Sequence, residues 1–133
     1  MNKDKYIVYV DDDEDDRFIF QQSFERVEDY RFVTVESGQE LFKLLERMKD
    51  HGYPCLIVCD MNMPMQNGVD VLREIKKTPH YESIPIVMFT TSKNPQEEAQ
   101  CAALGAVVEV KPSDIVEFEE VADLLLRHCR DRE

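Results

Sequence analysis

The chain has 133 residues, 43% of them hydrophobic, which suits one compact domain with an ordinary core and leaves no room for a second. Its formal net charge of -12 sets it against nucleic acid and anionic lipid, which carry the same sign, so direct DNA binding is not expected. No apolar stretch approaches the roughly 20 residues that span a bilayer, and the start Met1-Asn2-Lys3-Asp4-Lys5 lacks the apolar segment of a signal peptide, so a cytoplasmic protein with no membrane partner is expected.

Short apolar runs alternate with segments of helical period along the whole chain. Tyr6-Ile7-Val8-Tyr9-Val10 reads as a strand and runs straight into Asp11-Asp12-Asp13. Phe20, Phe24 and Val27 then recur at i, i+4, i+7, the face of a helix. A second strand is predicted over 31-35, and Ser37-Gly38-Gln39-Glu40 is a capping box that opens a helix with Leu41, Leu44, Leu45 and Met48 on one side. The third strand, over 55-59, ends on Asp60, after which Pro64 and Gly68 break the chain. The fourth, over 85-89, ends on Thr90-Thr91-Ser92; Asn94-Pro95-Gln96-Glu97 then caps a helix with Pro at its first position. The fifth, over 107-110, ends on Lys111-Pro112, and Asp114-Ile115-Val116-Glu117 caps a last helix striped by Ile115, Phe118, Val121, Ala122 and Leu125. Five βα units in strict alternation argue for an α/β fold, a parallel sheet with helices on both faces. Such sheets place their sites at the carboxyl ends of strands.

Asp60 is the first candidate for chemistry, because a buried strand that ends on a lone carboxylate offers it to a metal or a phosphoryl group. The acidic run Asp11 to Asp16 supplies more charge. Runs of this kind are usually solvated, but this one is tied to an apolar strand and leads into Phe18-Ile19-Phe20, so a cation is expected to offset part of it. A calcium-binding EF-hand loop would need Gly where Asp16 stands and Glu where Gln22 stands, so magnesium held by few protein ligands fits better. Thr90 brings a hydroxyl and Lys111 an ammonium to the ends of their strands. Taken singly, Thr90 could as well cap its own backbone and Lys111 could be an ordinary surface residue before a proline turn. Together, an acidic pair, a carboxylate, a hydroxyl and an ammonium stand in order at the ends of strands one, three, four and five. That constellation is specific.

Cys55, Cys59, Cys101 and Cys129 form no C-x-x-C pair and do not cluster with His51, His80 and His128. All four are read as free thiols. Of Met61, Met63 and Met65, which flank the candidate carboxylate, two are expected to fill loop packing.

On these motifs, Val10-Asp11-Asp12, Asp60-x-Asn62-x-Pro64-x-x-x-Gly68, Thr90-Thr91 and Lys111-Pro112, the chain resembles a receiver domain of the response-regulator family of two-component signalling. The resemblance covers essentially the whole chain, 1-133, with no output domain, and implies a stand-alone regulator. It implies a flavodoxin-like sheet of order 2-1-3-4-5 and transfer of a phosphoryl group to Asp60 from a sensor histidine kinase or a histidine phosphotransfer protein. By the same likeness Mg2+ would be held by Asp12 directly, by Asp11 through water, by Asp60, and by the backbone carbonyl of Asn62. Thr90 and Lys111 would attend the phosphoryl group. Such a protein signals to a downstream protein target rather than acting as an enzyme, and it could pair with itself through the face of helix 4, strand 5 and helix 5.

Two departures limit what carries over. Val108 stands where many receivers have an aromatic switch residue, three positions before the lysine, and the segment Asn94 to Leu104 is slightly short, which weakens inference about the fourth helix. Two rival readings stay open. A haloacid-dehalogenase-like phosphatase also phosphorylates an Asp after a buried strand, but it needs a second Asp two residues on, and position 62 is Asn. A degenerate receiver would act as a phosphate-independent interaction module despite its intact Asp60, Asp12, Thr90 and Lys111.

Overall fold

The computed structural model describes residues 5–130. In chain order its elements are β1 (Tyr6–Val10), α1 (Glu14–Ser23), β2 (Arg31–Val35), α2 (Gly38–Met48), β3 (Leu56–Asp60), α3 (Gly68–Lys77), β4 (Ile86–Thr90), α4 (Pro95–Ala103), β5 (Val107–Val110) and α5 (Ile115–Arg130). The strands form one parallel sheet of order β2-β1-β3-β4-β5, a doubly wound flavodoxin-like fold. The predicted caps take shape as expected. Ser37 accepts from the Glu40 amide, Asn94 from those of Gln96 and Glu97, and Asp114 from that of Glu117.

β1, β3 and β4 are buried along their whole length, so their side chains fill two cores in strict alternation. Tyr6, Val8, Val10, Ile57, Cys59, Ile86 and Met88 face one way, against Leu41, Leu45, Val71, Leu72 and Ile75 of α2 and α3. Ile7, Tyr9, Leu56, Val58, Val87 and Phe89 face the other, against Phe20, Phe24, Phe118, Leu125 and Leu126. The second core is aromatic. Tyr9 stacks on Phe20 at 4.5 Å between ring centroids, and Phe118 meets Phe89 edge-on at 6.2 Å.

The structure corrects the sequence reading in four places. β3 and β4 each begin and end one residue later than predicted. Cys55 lies before the β3 ladder, its N–H donating to Tyr6, and Pro85 has no N–H to give and serves β4's neighbour through its carbonyl alone. As a result Asp60 and Thr90 are themselves ladder residues, pinned by the sheet. α1 closes at Ser23, so Val27 packs on the core from the turn beyond the helix, and Ile115 at the start of α5 is 38% exposed rather than part of the buried stripe. The largest correction concerns the thiols. Cys55 and Cys129 form a disulfide; only Cys59 and Cys101 are free, and both are buried. The start of β3 and the last turn of α5 bring the two Cα atoms to 5.0 Å, within bridging range, and no local spacing announces a meeting across 74 residues. Met61 and Met63 are buried and Met65 is exposed, as the reading of two packing methionines expected.

Gly68 begins α3 directly beneath the candidate carboxylate. A Cβ there would lie 2.5 Å from the Asp60 carbonyl oxygen and 2.7 Å from the Cα of Met61, so only glycine lets the helix start so close to the end of β3. Among the described residues, no helix is long and apolar enough to cross a membrane.

Candidate functional site

Parallel register carries the strand ends to one edge. Val10 pairs with Cys59, Asp60 with Phe89 and Thr90 with Val110, so the residues that follow or end these strands converge above the middle of the sheet. Two further backbone bonds extend the ladders past their last residues: Met61 N–H to the Phe89 carbonyl at 2.8 Å and Lys111 N–H to that of Thr90 at 2.7 Å.

Asp11, Asp60 and Thr90 are buried, whereas Asp12 is exposed. One carboxylate oxygen from each of Asp11, Asp12 and Asp60 lies within 4.8 Å of the other two. Lys111 closes the cluster from the side of β5. Its Nζ stands 2.8 Å from Asp11 Oδ2, 2.7 Å from Asp16 Oδ2 and 3.4 Å from Asp60 Oδ2. The other Asp60 oxygen accepts the Asn62 amide at 3.1 Å, and the other Asp11 oxygen accepts the Asp13 amide at 2.9 Å.

Burial raises the Asp60 carboxyl above its ordinary value, and the Asp11 charge adds to this against the Asn62 amide and Lys111, which oppose it. Asp12 is raised too, by desolvation and then by Asp11. Desolvation would lower Lys111, but its bonds to Asp11 and Asp16 and the Asp60 charge prevail and hold it well above 10.5. Three carboxylates within 4.8 Å of one another share a single ammonium, which leaves the edge with an excess of negative charge. An all-oxygen donor set of this kind fits a hard divalent cation such as magnesium, so the residues present suit the metal that the fold implies.

The structure clusters Asp11, Asp12, Asp60 and Lys111, and sets Thr90 and Asn62 at the same edge in other engagements. The Thr90 hydroxyl donates to the Ser92 carbonyl at 2.9 Å, the backbone-capping contact that was its plainer reading. Asn62 reaches across with its side chain, whose Oδ1 accepts from the amide of Thr91 at 3.4 Å. The acidic run is also less uniform than its composition. Asp13 caps α1 by accepting from the amides of Asp15 and Asp16, and the acids of the first turn complement the helix dipole.

Three contributors were missed. The Tyr9 hydroxyl donates to Asp11, Arg17 donates to the Asp11 carbonyl at 2.8 Å, and Asp16 pairs with Lys111. Tyr9 had a usable signal, since residues two apart on a strand share a face, which points its hydroxyl toward Asp11. Asp16 and Arg17 had none beyond their place in a charged run.

A parallel sheet of this order with an acidic triad and a lysine at its carboxyl edge defines a receiver-type module. The model of the "Response regulator receiver domain" family matches residues 7–122, and the chain belongs to that family, whose members serve phosphorelay signalling. It is 28% identical over 114 residues to the two-component response regulator ORR3 of Oryza sativa subsp. indica, covering 83% of this chain and 84% of that one. To the response regulator Rcp1 of Synechocystis sp. it is 31% identical over 97 residues, 70% of this chain and 66% of that one. It is also 34% identical over 111 residues to a probable cyclic di-GMP phosphodiesterase of Vibrio cholerae; these residues are 82% of this chain but span only 24% of that protein. Among solved structures, the phosphorylated cyanobacterial phytochrome response regulator RcpA superposes with a TM-score of 0.79 at 26% identity, over 92% of this chain and 94% of that one. The Mn(2+)-bound form of Rcp1 does so at 0.77 and 24%, over 91% and 94%, and supports the fold.

Proposed function

We propose that this protein accepts a phosphoryl group on Asp60 in a reaction that needs a divalent cation, and that phosphorylation switches its binding to a downstream protein. The observation that carries this reading is the placement of Lys111 Nζ against both Asp60 and Asp11, beside a triad of carboxylates within 4.8 Å of one another. A carboxylate is a poor nucleophile toward a phosphoryl group because anion must approach anion, so neutralising charge is the main task of the site. The donor is the phosphohistidine of a sensor histidine kinase or histidine phosphotransfer protein. An Asp60 oxygen forms the new O–P bond as the P–N bond breaks, and the electron pair returns to the donor imidazole.

Asp11, Asp12, Asp60 and the backbone carbonyl of Asn62 would hold Mg2+, which supplies positive charge to an incoming phosphoryl oxygen. Lys111 offers a second positive charge from the β5 side. Thr90 rotates its hydroxyl from Ser92 to a phosphoryl oxygen, and this change draws on the loop Thr91-Ser92-Lys93-Asn94 ahead of α4. With Val108 in place of an aromatic switch, the signal leaves as a backbone and surface change around α4, β5 and α5. The exposed apolar side chains of Val107, Val110 and Val116 support that face as the one that meets a protein partner or a second copy of the chain. The whole of 1-133 acts as a single cytoplasmic receiver that signals rather than turns over substrate.

Mass spectrometry after treatment with a small phosphodonor and magnesium tests the assignment. One added phosphoryl group is expected on the parent and none on Asp60→Asn. An adduct that persists on the variant would sink it, and rapid turnover of excess donor would favour a phosphatase instead.

A further inference from the structure

Lys111 has a carboxylate partner that the proposed reaction does not use. Its Nζ lies 2.7 Å from Asp16 Oδ2, a normal distance for a charge-assisted bond, and 3.4 Å from Asp60 Oδ2, at the outer limit of one. The ammonium is therefore held between Asp16 on α1 and Asp11 Oδ2 at 2.8 Å, each closer to it than the candidate phosphoacceptor. Asp16 is held in that place by its own backbone, since its amide donates to the capping carboxylate of Asp13 at 3.2 Å. It is not among the three carboxylates that converge as a candidate cation site. Both partners are largely shielded, with side-chain exposures of 12% for Lys111 and 26% for Asp16, so the pair is screened less than a surface ion pair.

We propose that Asp16 is a positioning residue, a competing carboxylate that holds Lys111 on the α1 side and so weakens the hold of the site on a phosphoryl group. This rests on the reading of Asp60 as phosphoacceptor. In the resting protein Lys111 is shared among Asp11, Asp16 and Asp60. A phosphoryl group on Asp60 recruits the ammonium against the pull of Asp16, so Asp16 sets how readily the phosphorylated arrangement forms. Most substitutions near a site weaken binding by disturbing it. Removing this carboxylate should tighten binding, which structural damage would not do.

The test is titration with beryllium fluoride, a phosphoryl mimic, at saturating Mg2+ in the parent, Asp16→Asn, Asp16→Glu and Asp15→Asn. Asp15 is the charge-matched control, being an exposed neighbour on α1 that makes no ion pair with Lys111. Asp16→Asn should bind about fivefold more tightly, the scale of a partly exposed ion pair. Asp16→Glu should return toward the parent, and Asp15→Asn should stay within about twofold of it. Asp16→Ser serves in place of Asp16→Asn if the amide disturbs folding, as judged by thermal melting. Equal or weaker binding by Asp16→Asn overturns the proposal, and so does an equal gain in Asp15→Asn, which would mark a plain charge effect. If the parent itself fails to bind the mimic, the phosphoacceptor reading falls, and this inference with it.

Discussion

The Tyr9 hydroxyl donates to Oδ2 of Asp11, the same oxygen that Lys111 Nζ approaches at 2.8 Å. One buried carboxylate oxygen thus ties the aromatic core between the sheet and α1/α5 to the charged edge of the sheet. Burial pushes the Tyr9 phenol far above its usual 10.0, and the Asp11 charge pushes the same way, so the tyrosine stays a donor at any ordinary pH. Tyr9→Phe keeps the ring that stacks on Phe20 and removes the donor. It should destabilise the protein by about 1–2 kcal/mol, the cost of taking a partner from a buried charged acceptor. Urea denaturation of the two proteins measures this; an unchanged midpoint would mean that Lys111 and the Asp13 amide satisfy Asp11 by themselves.

Asp12 is the exposed member of the triad, so its loss should affect cation binding far more than folding. In Asp12→Ala the magnesium concentration that half-saturates phosphorylation should rise by at least about tenfold, because a hard cation with few ligands is sensitive to the loss of one charge. The melting temperature without magnesium should be nearly unchanged. The same magnesium requirement in both proteins would remove Asp12 from the ligand set.

The bond between Cys55 and Cys129 fastens the last turn of α5 to the start of β3 and closes a loop of 74 residues. Reduction should lower the unfolding free energy by about 2–4 kcal/mol, and the double variant Cys55→Ser with Cys129→Ser should match the reduced protein and ignore reductant. Alkylation of the unfolded, unreduced chain should label only Cys59 and Cys101. Labelling of all four cysteines without reductant would show that the bond does not form. In a reducing compartment such a bond is usually transient, so stability there should follow the thiol poise.

Alkaline pH should destabilise the protein through groups that the fold protonates more firmly, among them Tyr9, Tyr6 and Lys111. Burial pushes Tyr6 up to about 12, and the ion pairs of Lys111 with Asp11 and Asp16 outweigh its own desolvation to hold it well above 10.5. Both groups keep their protons more firmly in the folded chain than in the unfolded one. The unfolded chain therefore binds fewer protons above about pH 10, and stability present below that pH is lost as pH rises through the folded values. Melts between about pH 9 and 11 should show a falling midpoint, with a shallower fall in Lys111→Met. A midpoint that rises over this range, or an identical slope in the variant, would contradict the assignment.

Much of this protein was legible in its sequence because the relevant physics is local. β1, β3 and β4 are buried on both faces and so read as unbroken apolar runs, and Ser37, Asn94 and Asp114 announce helix starts because a cap serves amides only two or three residues away. Candidate residues at strand ends were found for the same reason, since in a parallel sheet all carboxyl ends share one edge whatever the strand order. The one-residue shift that makes Asp60 and Thr90 ladder residues was not visible, because where a ladder stops depends on the neighbouring strand. Three relationships were settled only by tertiary structure: Asp16 with Lys111, Cys55 with Cys129, and the present engagement of the Thr90 hydroxyl with Ser92. The first two join residues far apart in the chain, and the last turns on a single side-chain rotation. Periodicity records which face of an element is apolar, but which charged or sulfur-bearing atoms meet depends on how whole elements pack, and no spacing along the chain carries that information.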